Sequence, residues 1–239
     1  MLVIREEHSL RGTDEEEFDA VLRDEWIPAV ARGSDARVAF AARLAHGGGE
    51  AYRMVTYSFA RDAAAWGRLA DRIHSGDLKR AAARLDDLRY SVDTKLLTPL
   101  PWSRMQSVDL EKIPGSARNQ PLTLYMEDTV HPFPGKLDEY IERSGAQYST
   151  EYSKSFPGVP KLLEIDAALR TSFGGGTRAE IVLWQRVLLQ DGLLHLLTSE
   201  LPEEFRKPGR WMVDALALRD SWRSRLLRTV SWSPLSQLP

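Results

Sequence analysis

The chain has 239 residues, 43% of them apolar and 28% charged, with a net charge of -2, the make-up of a globular protein with one large domain or two ordinary ones. It has no cysteine, which excludes disulfides, zinc–thiolate sites, iron–sulfur clusters and a cysteine nucleophile. The near-neutral balance makes no electrostatic case for nucleic acid, and no apolar run is long enough to cross a membrane, so neither is an expected partner. The start, Met1 to Glu7, lacks the basic and long apolar stretches of a secretory signal, and a cytoplasmic location is the default expectation.

Leu2 to Leu10 reads as a strand. Thr13-Asp14-Glu15-Glu16 has the pattern of a capping box, and Phe18, Val21, Leu22 and Trp26 follow at helical spacing until Pro28 kinks or ends the helix. Arg37 to Ala45 alternates as a strand, Gly47-Gly48-Gly49 turns, and Tyr52 to Phe59 is a β-branched and aromatic strand. Asp62 to Leu88 is helical with a break near Gly76. Lys95 to Trp102 is a last strand whose prolines suggest an edge. A polar linker from Ser107 to Asn119 carries Pro114-Gly115. The plan then recurs. Leu122 to Asp128 is a strand, Pro134-Gly135 opens a helix stopped by Gly145, and Leu162 to Thr171 and Glu180 to Arg186 flank Gly174-Gly175-Gly176. A broken helical region from Leu193 to Leu218 precedes a strand from Leu227 to Trp232.

The recurrence extends to residues. Arg43, Gly47 to Gly49, Val55 and Tyr57 align with Arg170, Gly174 to Gly176, Val182 and Trp184 at an offset of 127. Leu88 to Ser103 lies over Leu218 to Ser233 at an offset of 130, with 7 identities in 16. Each half has the order β-α-β-β-α-β, the ferredoxin-like unit, whose sheet is bare on one face. The expected fold is therefore α+β: two tandem ferredoxin-like modules, residues 1–105 and 121–239 joined by a linker at 106–120, packed sheet to sheet as a pseudo-twofold α/β barrel.

The second half resembles the NIPSNAP family of the dimeric α/β-barrel superfamily. The resemblance rests on Pro134-Gly135-Lys136-Leu137-Asp138-Glu139-Tyr140 and on Arg170-Thr171-Ser172-Phe173-Gly174-Gly175 followed by Ile181-Val182-Leu183-Trp184. It implies the fold more than an activity, because the superfamily holds cofactor-free monooxygenases, isomerases, cyclases and heme enzymes. The first half lacks the Pro-Gly-Lys start and has Tyr57 where the second has Trp184.

A cavity between the sheets would receive strand side chains turned from the helices. Strand one offers Arg5 and Glu7, or Glu6 and His8, depending on register, and its counterpart offers Tyr125 and Glu127. Further on stand Glu164, Asp166 and Arg170, then Glu180, Trp184 and Arg186. Such acids and arginines either pair structurally or line a wet pocket. His8, Glu7, Glu127, Asp166 and Arg170 are the catalytic candidates, with Tyr57, Tyr125, Trp184 and Arg186 as the substrate wall. His8 leads as acid/base because two carboxylates flank it. His46, His74, His131 and His195 read as surface, capping or packing residues, and no set has metal-ligand spacing. Tyr148, Tyr152 and Phe156 form an aromatic stripe whose simpler reading is core packing. The glycine turns join antiparallel strands and are hairpins, not phosphate loops.

These residues point to a small-molecule enzyme with no cofactor and no metal, of the monooxygenase, isomerase or cyclase type. It would act on a hydrophobic or aromatic molecule, as a monomer or a homodimer. A non-catalytic ligand-binding or interaction module is the alternative, favoured by a filled sheet interface, and heme binding is a third reading.

Overall fold

The computed structural model describes residues 1–153, 161–191, 193 and 203–239. Eight strands appear among the described residues: β1 (Leu2–Leu10), β2 (Ala36–Leu44), β3 (Arg53–Ala60), β4 (Arg89–Pro99), β5 (Leu124–Pro132), β6 (Leu163–Phe173), β7 (Ile181–Val187) and β8 (Arg219–Thr229). They close into one antiparallel barrel in the order β1-β3-β2-β8-β5-β7-β6-β4. The first four run β4-β1-β3-β2 and the last four run β8-β5-β7-β6.

The two sheets meet at their edges and not only across their faces. β2 pairs with β8, and β4 pairs with β6. This corrects the edge position expected for the strand before Trp102: β4 has a partner on both sides. Closure removes the unpaired N–H and C=O rows that four free edges would expose. Both β4 and β8 also begin earlier than their apolar pattern suggests, at Arg89 and Arg219. Their first residues are largely polar and mostly exposed, so alternation of apolar residues gives no signal there.

Helices cover the outside. α1 (Glu15–Val21), a π-turn (Leu22–Trp26) and α2 (Ile27–Ala31) form one continuous run. Pro28 does not end it; Ile27 N–H reaches back five residues to the Leu22 carbonyl and the chain stays helical. The expected capping box is absent: Thr13 Oγ1 donates to the Asp14 carboxylate at 2.8 Å, and Asp14 makes no side-chain cap. α3 (Ala63–His74) and α4 (Lys79–Asp87) follow, with Asp62 capping α3. In the second half α5 (Leu137–Arg143) continues through a π-turn (Ser144–Tyr148) into α6 (Ser149–Ser153), and α7 (Trp211–Asp214) comes late. Gly145 is therefore not a stop. A Cβ there would stand 2.6 Å from the Trp102 ring, so glycine is needed for close packing.

Three apolar clusters result. One lies between the first half-sheet and α1 to α4, and one between the second half-sheet and its helices. The third fills the barrel: Phe40, Tyr57, Phe59, Tyr125 and Trp184 meet there with Met105, Leu110 and Ile113 from the segment after β4 and Leu235 and Leu238 from the C-terminal segment. The stretch expected to be a polar linker thus plugs the barrel with its few apolar residues. Tyr152, Phe156 and His195 lie outside the residues whose side chains are described, while Tyr148 packs against Trp211. His131, expected at the surface, is half-buried inside β5.

Candidate active site

Alternation along β1 divides its polar residues between two environments. Arg5 and Glu7 join the barrel-side ion network, while Glu6 and His8 line a cavity on the helix side. The two registers weighed from sequence are both occupied, on opposite faces of one strand.

On the barrel side, Arg5 donates to both Glu127 carboxylate oxygens at 2.8 Å and to Glu7 at 3.0 Å. Arg225 donates to Glu7 at 2.8 Å and to Glu127 at 2.6 Å. The Tyr57 hydroxyl also donates to Glu127. Two arginines and two glutamates cancel. Burial alone would raise both carboxyls, but Arg225 and Arg5 outweigh it and hold Glu7 at about 2. Arg5 and Arg225 likewise hold Glu127 well below the usual range. Carboxylates so engaged present little free acceptor to a substrate.

Elsewhere in the barrel, Asp166 is 2.9 Å from the Tyr125 hydroxyl, 3.2 Å from Arg104 Nη1 and 3.3 Å from Arg186 Nε. Burial pushes its carboxyl upward against these partners. The Tyr125 hydroxyl is also 3.0 Å from the Ser236 carbonyl, and Arg186 reaches Gln237, so the C-terminal segment closes over this group. Tyr125 stacks on Trp184 at 4.3 Å, and Tyr57 lies 4.7 Å from the same ring. These rings fill the space against one another. Arg170 is apart from all of this, exposed on the outer surface.

Of the cavities outside the barrel, two each lie between a half-sheet and its helices. The first, of about 390 Å³, is lined by Glu6, His8, Thr56 and Arg89 with Trp26 and Leu69 among its apolar walls. Arg89 Nη1 donates to His8 Nδ1 at 2.6 Å, and His8 Nε2 is 3.3 Å from Thr56 Oγ1. This fixes the neutral tautomer with the proton on Nε2. Burial, then the charges of Arg89 and Arg5, lower His8 to about 3. Burial raises Glu6, opposed by Arg89 and by a Thr56 hydrogen bond. Arg89 also holds Asp86 through Nε at 3.1 Å and through Nη2.

The second cavity, of about 300 Å³, is lined by Asp128, Arg219, Tyr148, Trp211, Trp222 and Leu183, among others. Gln185 Nε2 donates to Asp128 at 2.8 Å and Ser224 donates to its other oxygen. Burial raises this carboxyl too, despite both donors.

The two cavities share a construction. Arg5 pairs with Tyr57 in the sheet as Glu127 pairs with Trp184, so β1 and β5 correspond at an offset of 122. Glu6 and Asp128 are then equivalent, and Arg89 and Arg219 open β4 and β8. The register slips at Ser9/Leu10 in one half and at His131/Pro132 in the other. Each slip is a bulge beside the arginine, and it re-aims that side chain from the barrel side to the cavity side. An acid on the first strand and an arginine at the start of the last strand therefore face each cavity.

Among the sequence candidates, His8 joins the first of these cavities together with Glu6, which shares its register, while Arg170 and Arg186 line other pockets. Thr56, Arg89, Asp128 and Arg219 were missed. The repeat of Leu88-Arg89 as Leu218-Arg219 and the alternation of β1 were the signals that could have found them.

No family model matches the sequence, and no curated protein matches it. Solved structures do match in fold. A candidate monooxygenase from Fusobacterium nucleatum aligns with a TM-score of 0.59 at 8% identity, covering 95% of this chain and 91% of that one. An anthrone oxidase-like protein gives 0.55 at 9% identity, over 96% and 91%. The heme complex of a DypB variant from Rhodococcus jostii RHA1 gives 0.54 at 8% identity, over 100% and 96%. At such identities the likeness establishes the α/β-barrel fold and nothing about the reaction. The lining of the second cavity holds no histidine among the described residues. Two histidines, His8 and His74, line the first cavity, and both ring nitrogens of His8 are engaged.

Proposed function

We propose that this chain is a small-molecule enzyme that abstracts a proton from a hydrophobic or aromatic carbon acid, without a resident cofactor, in the cavity between β1, β3, β4 and α1 to α4. The observation that carries this reading is the meeting of Glu6, His8 and Arg89 around one cavity whose other walls are largely apolar. A small polar cluster in an apolar pocket is the usual form of a ligand site. Two groups whose surroundings push their pKa values apart are the usual form of an acid–base site.

Each group has a role its surroundings support. Glu6, raised by burial, is the base. It takes the proton from a carbon or phenol beside a carbonyl, and the released electron pair moves onto the carbonyl oxygen. Arg89 keeps N–H donors beyond those given to His8 and Asp86, and these steady that oxyanion. His8, kept neutral, positions Arg89 through Nδ1 without adding a second positive charge. Oxygenation, isomerisation and cyclisation can all begin from such an anion, so the step fits the whole range of expected reactions.

The reading includes a duplicated chain of two ferredoxin-like modules, residues 1–105 and 121–239, with 106–120 between them. The repeated strand order and the matched bulges support it. So does the second half's NIPSNAP-like start, where Gly135 adopts a φ of +77° just before α5. Closure of the barrel within one chain supports a monomer. The packed barrel interior favours the alternative, an interaction module with no chemistry.

The test is hydrogen exchange at the acidic carbon of anthrone, followed by NMR in D₂O without oxygen. The wild type should accelerate exchange, and Glu6→Gln should lose that acceleration by about a hundredfold or more. No acceleration, or equal rates in Glu6→Gln, would refute the assignment and leave the interaction module.

A further inference from the structure

The two cavities share an acid and an arginine, but the arginines end in different circumstances. In the first half Arg89 has two acceptors, His8 and Asp86. The residues at their repeat positions in the second half are Val130 and Leu216. Neither side chain can accept a hydrogen bond. Asp128 does not replace them, because it is held by Gln185 and Ser224 and makes no ion pair with Arg219 among the described residues. Arg219 is only 5% exposed, and its Nη1 is buried without a hydrogen-bond partner among the described residues. Its guanidinium lies 4.0 Å over the Trp222 ring, which orients the group but accepts no hydrogen bond, and the Tyr140 hydroxyl engages it away from Nη1.

A buried guanidinium nitrogen left without an acceptor costs stability. The cost makes sense when something supplies the acceptor from outside. Apart from Asp128, Ser224, Tyr140 and Tyr148, the described lining around Arg219 is apolar, with Met126, Val130, Leu163, Leu183, Trp211 and Met212. We propose that this second cavity binds an apolar molecule ending in a carboxylate, with the carboxylate on Arg219 Nη1 and the hydrocarbon or aromatic body between Leu183 and Trp211. One unpartnered guanidinium nitrogen beside an acid suits a single negative charge. A phosphate dianion would call for more donors than the site presents. This site differs from the proton-abstraction site in the first half, and its ligand class follows from the one arginine nitrogen, Nη1, that is left without an acceptor.

Isothermal titration calorimetry with cinnamate, 4-phenylbutyrate and octanoate tests this, each set beside its amide. The expected result is that at least one acid binds and its amide binds at least tenfold more weakly. Arg219→Gln should lose at least tenfold for that acid, while Arg170→Gln, a surface arginine, should leave it unchanged. Arg219→Met should melt no lower than the wild type without ligand, because it removes an unsatisfied buried cation. No binding by any acid would overturn the proposal. Equal binding of acid and amide, unchanged binding in Arg219→Gln, or a melting point several degrees lower in Arg219→Met would also do so. Since binding is read without turnover, its failure leaves the anthrone result standing, and the reverse holds too.

Discussion

Charge inside the barrel and charge in the outer cavities obey different rules. Inside, Arg5, Arg225, Glu7 and Glu127 pair with one another and Tyr57 adds a donor, and the Nε atoms left without a hydrogen bond among the described residues, on Arg225 and Arg186, belong to guanidiniums already held by carboxylates. Outside, Arg89 keeps spare donors beside a partly buried acid, and Arg219 keeps an N–H with no acceptor. Paired buried charge holds a structure in register, whereas incompletely paired charge facing a cavity is available to a ligand. On the function proposed above, chemistry in this chain belongs beneath the helices and not between the sheets.

The largest expected effect is that of Glu127→Ala. It leaves Arg5 and Arg225 to share Glu7 alone and should cost about 3–5 kcal/mol in urea denaturation. A loss below about 1 kcal/mol would mean that the network is not structural. Next comes pH. His8 is lowered to about 3 in the folded protein, against about 6.5 unfolded. The unfolded chain therefore binds the proton first as pH falls. Stability should drop by about 2 kcal/mol between pH 6.5 and 5, at about 1.4 kcal/mol per pH unit.

His8→Gln should remove that part of the slope, and an unchanged slope would contradict the burial of a neutral ring. Glu7 and Glu127, both depressed, lose their stabilisation only further down, as pH falls from the ordinary carboxylate range toward 2. Glu6, Asp128 and Asp166, all raised, work in the opposite direction: their contribution is present at low pH and fades as pH rises through their folded values.

A smaller effect sharpens the picture within the barrel. Tyr125→Phe removes one donor from Asp166 while Arg186 and Arg104 remain, and should cost about 1 kcal/mol in the same denaturation assay. The smallest belongs to Arg170→Ala, exposed and outside both networks, which should change stability by no more than about 0.5 kcal/mol.

The strand order was readable because the repeat and the alternation of β1, β2, β3, β6 and β7 agree with one another. The early starts of β4 and β8 were not, since Ser91, Asp93, Ser221 and Arg223 face solvent and carry no apolar rhythm. Gly145 misled because a glycine at a tight contact looks like a glycine at a helix end. Among site residues, Glu7, Glu127 and Asp166 drew attention as acids on strands, yet sequence does not say which acids will find arginines. Arg225 and Arg104, which partner them, come from distant elements. Arg89 and Arg219 were hidden by their bulges: strict alternation would put both on the barrel side with Lys95 and Arg225. Glu6 depended on a register that only coordinates assign.

The most direct measurement is a crystal structure of the protein with anthrone bound. The account predicts the ligand in the first outer cavity, its carbonyl oxygen on Arg89 and its acidic carbon facing Glu6. A ligand found inside the barrel, between Tyr57 and Trp184 with its oxygen toward Glu127, would contradict it.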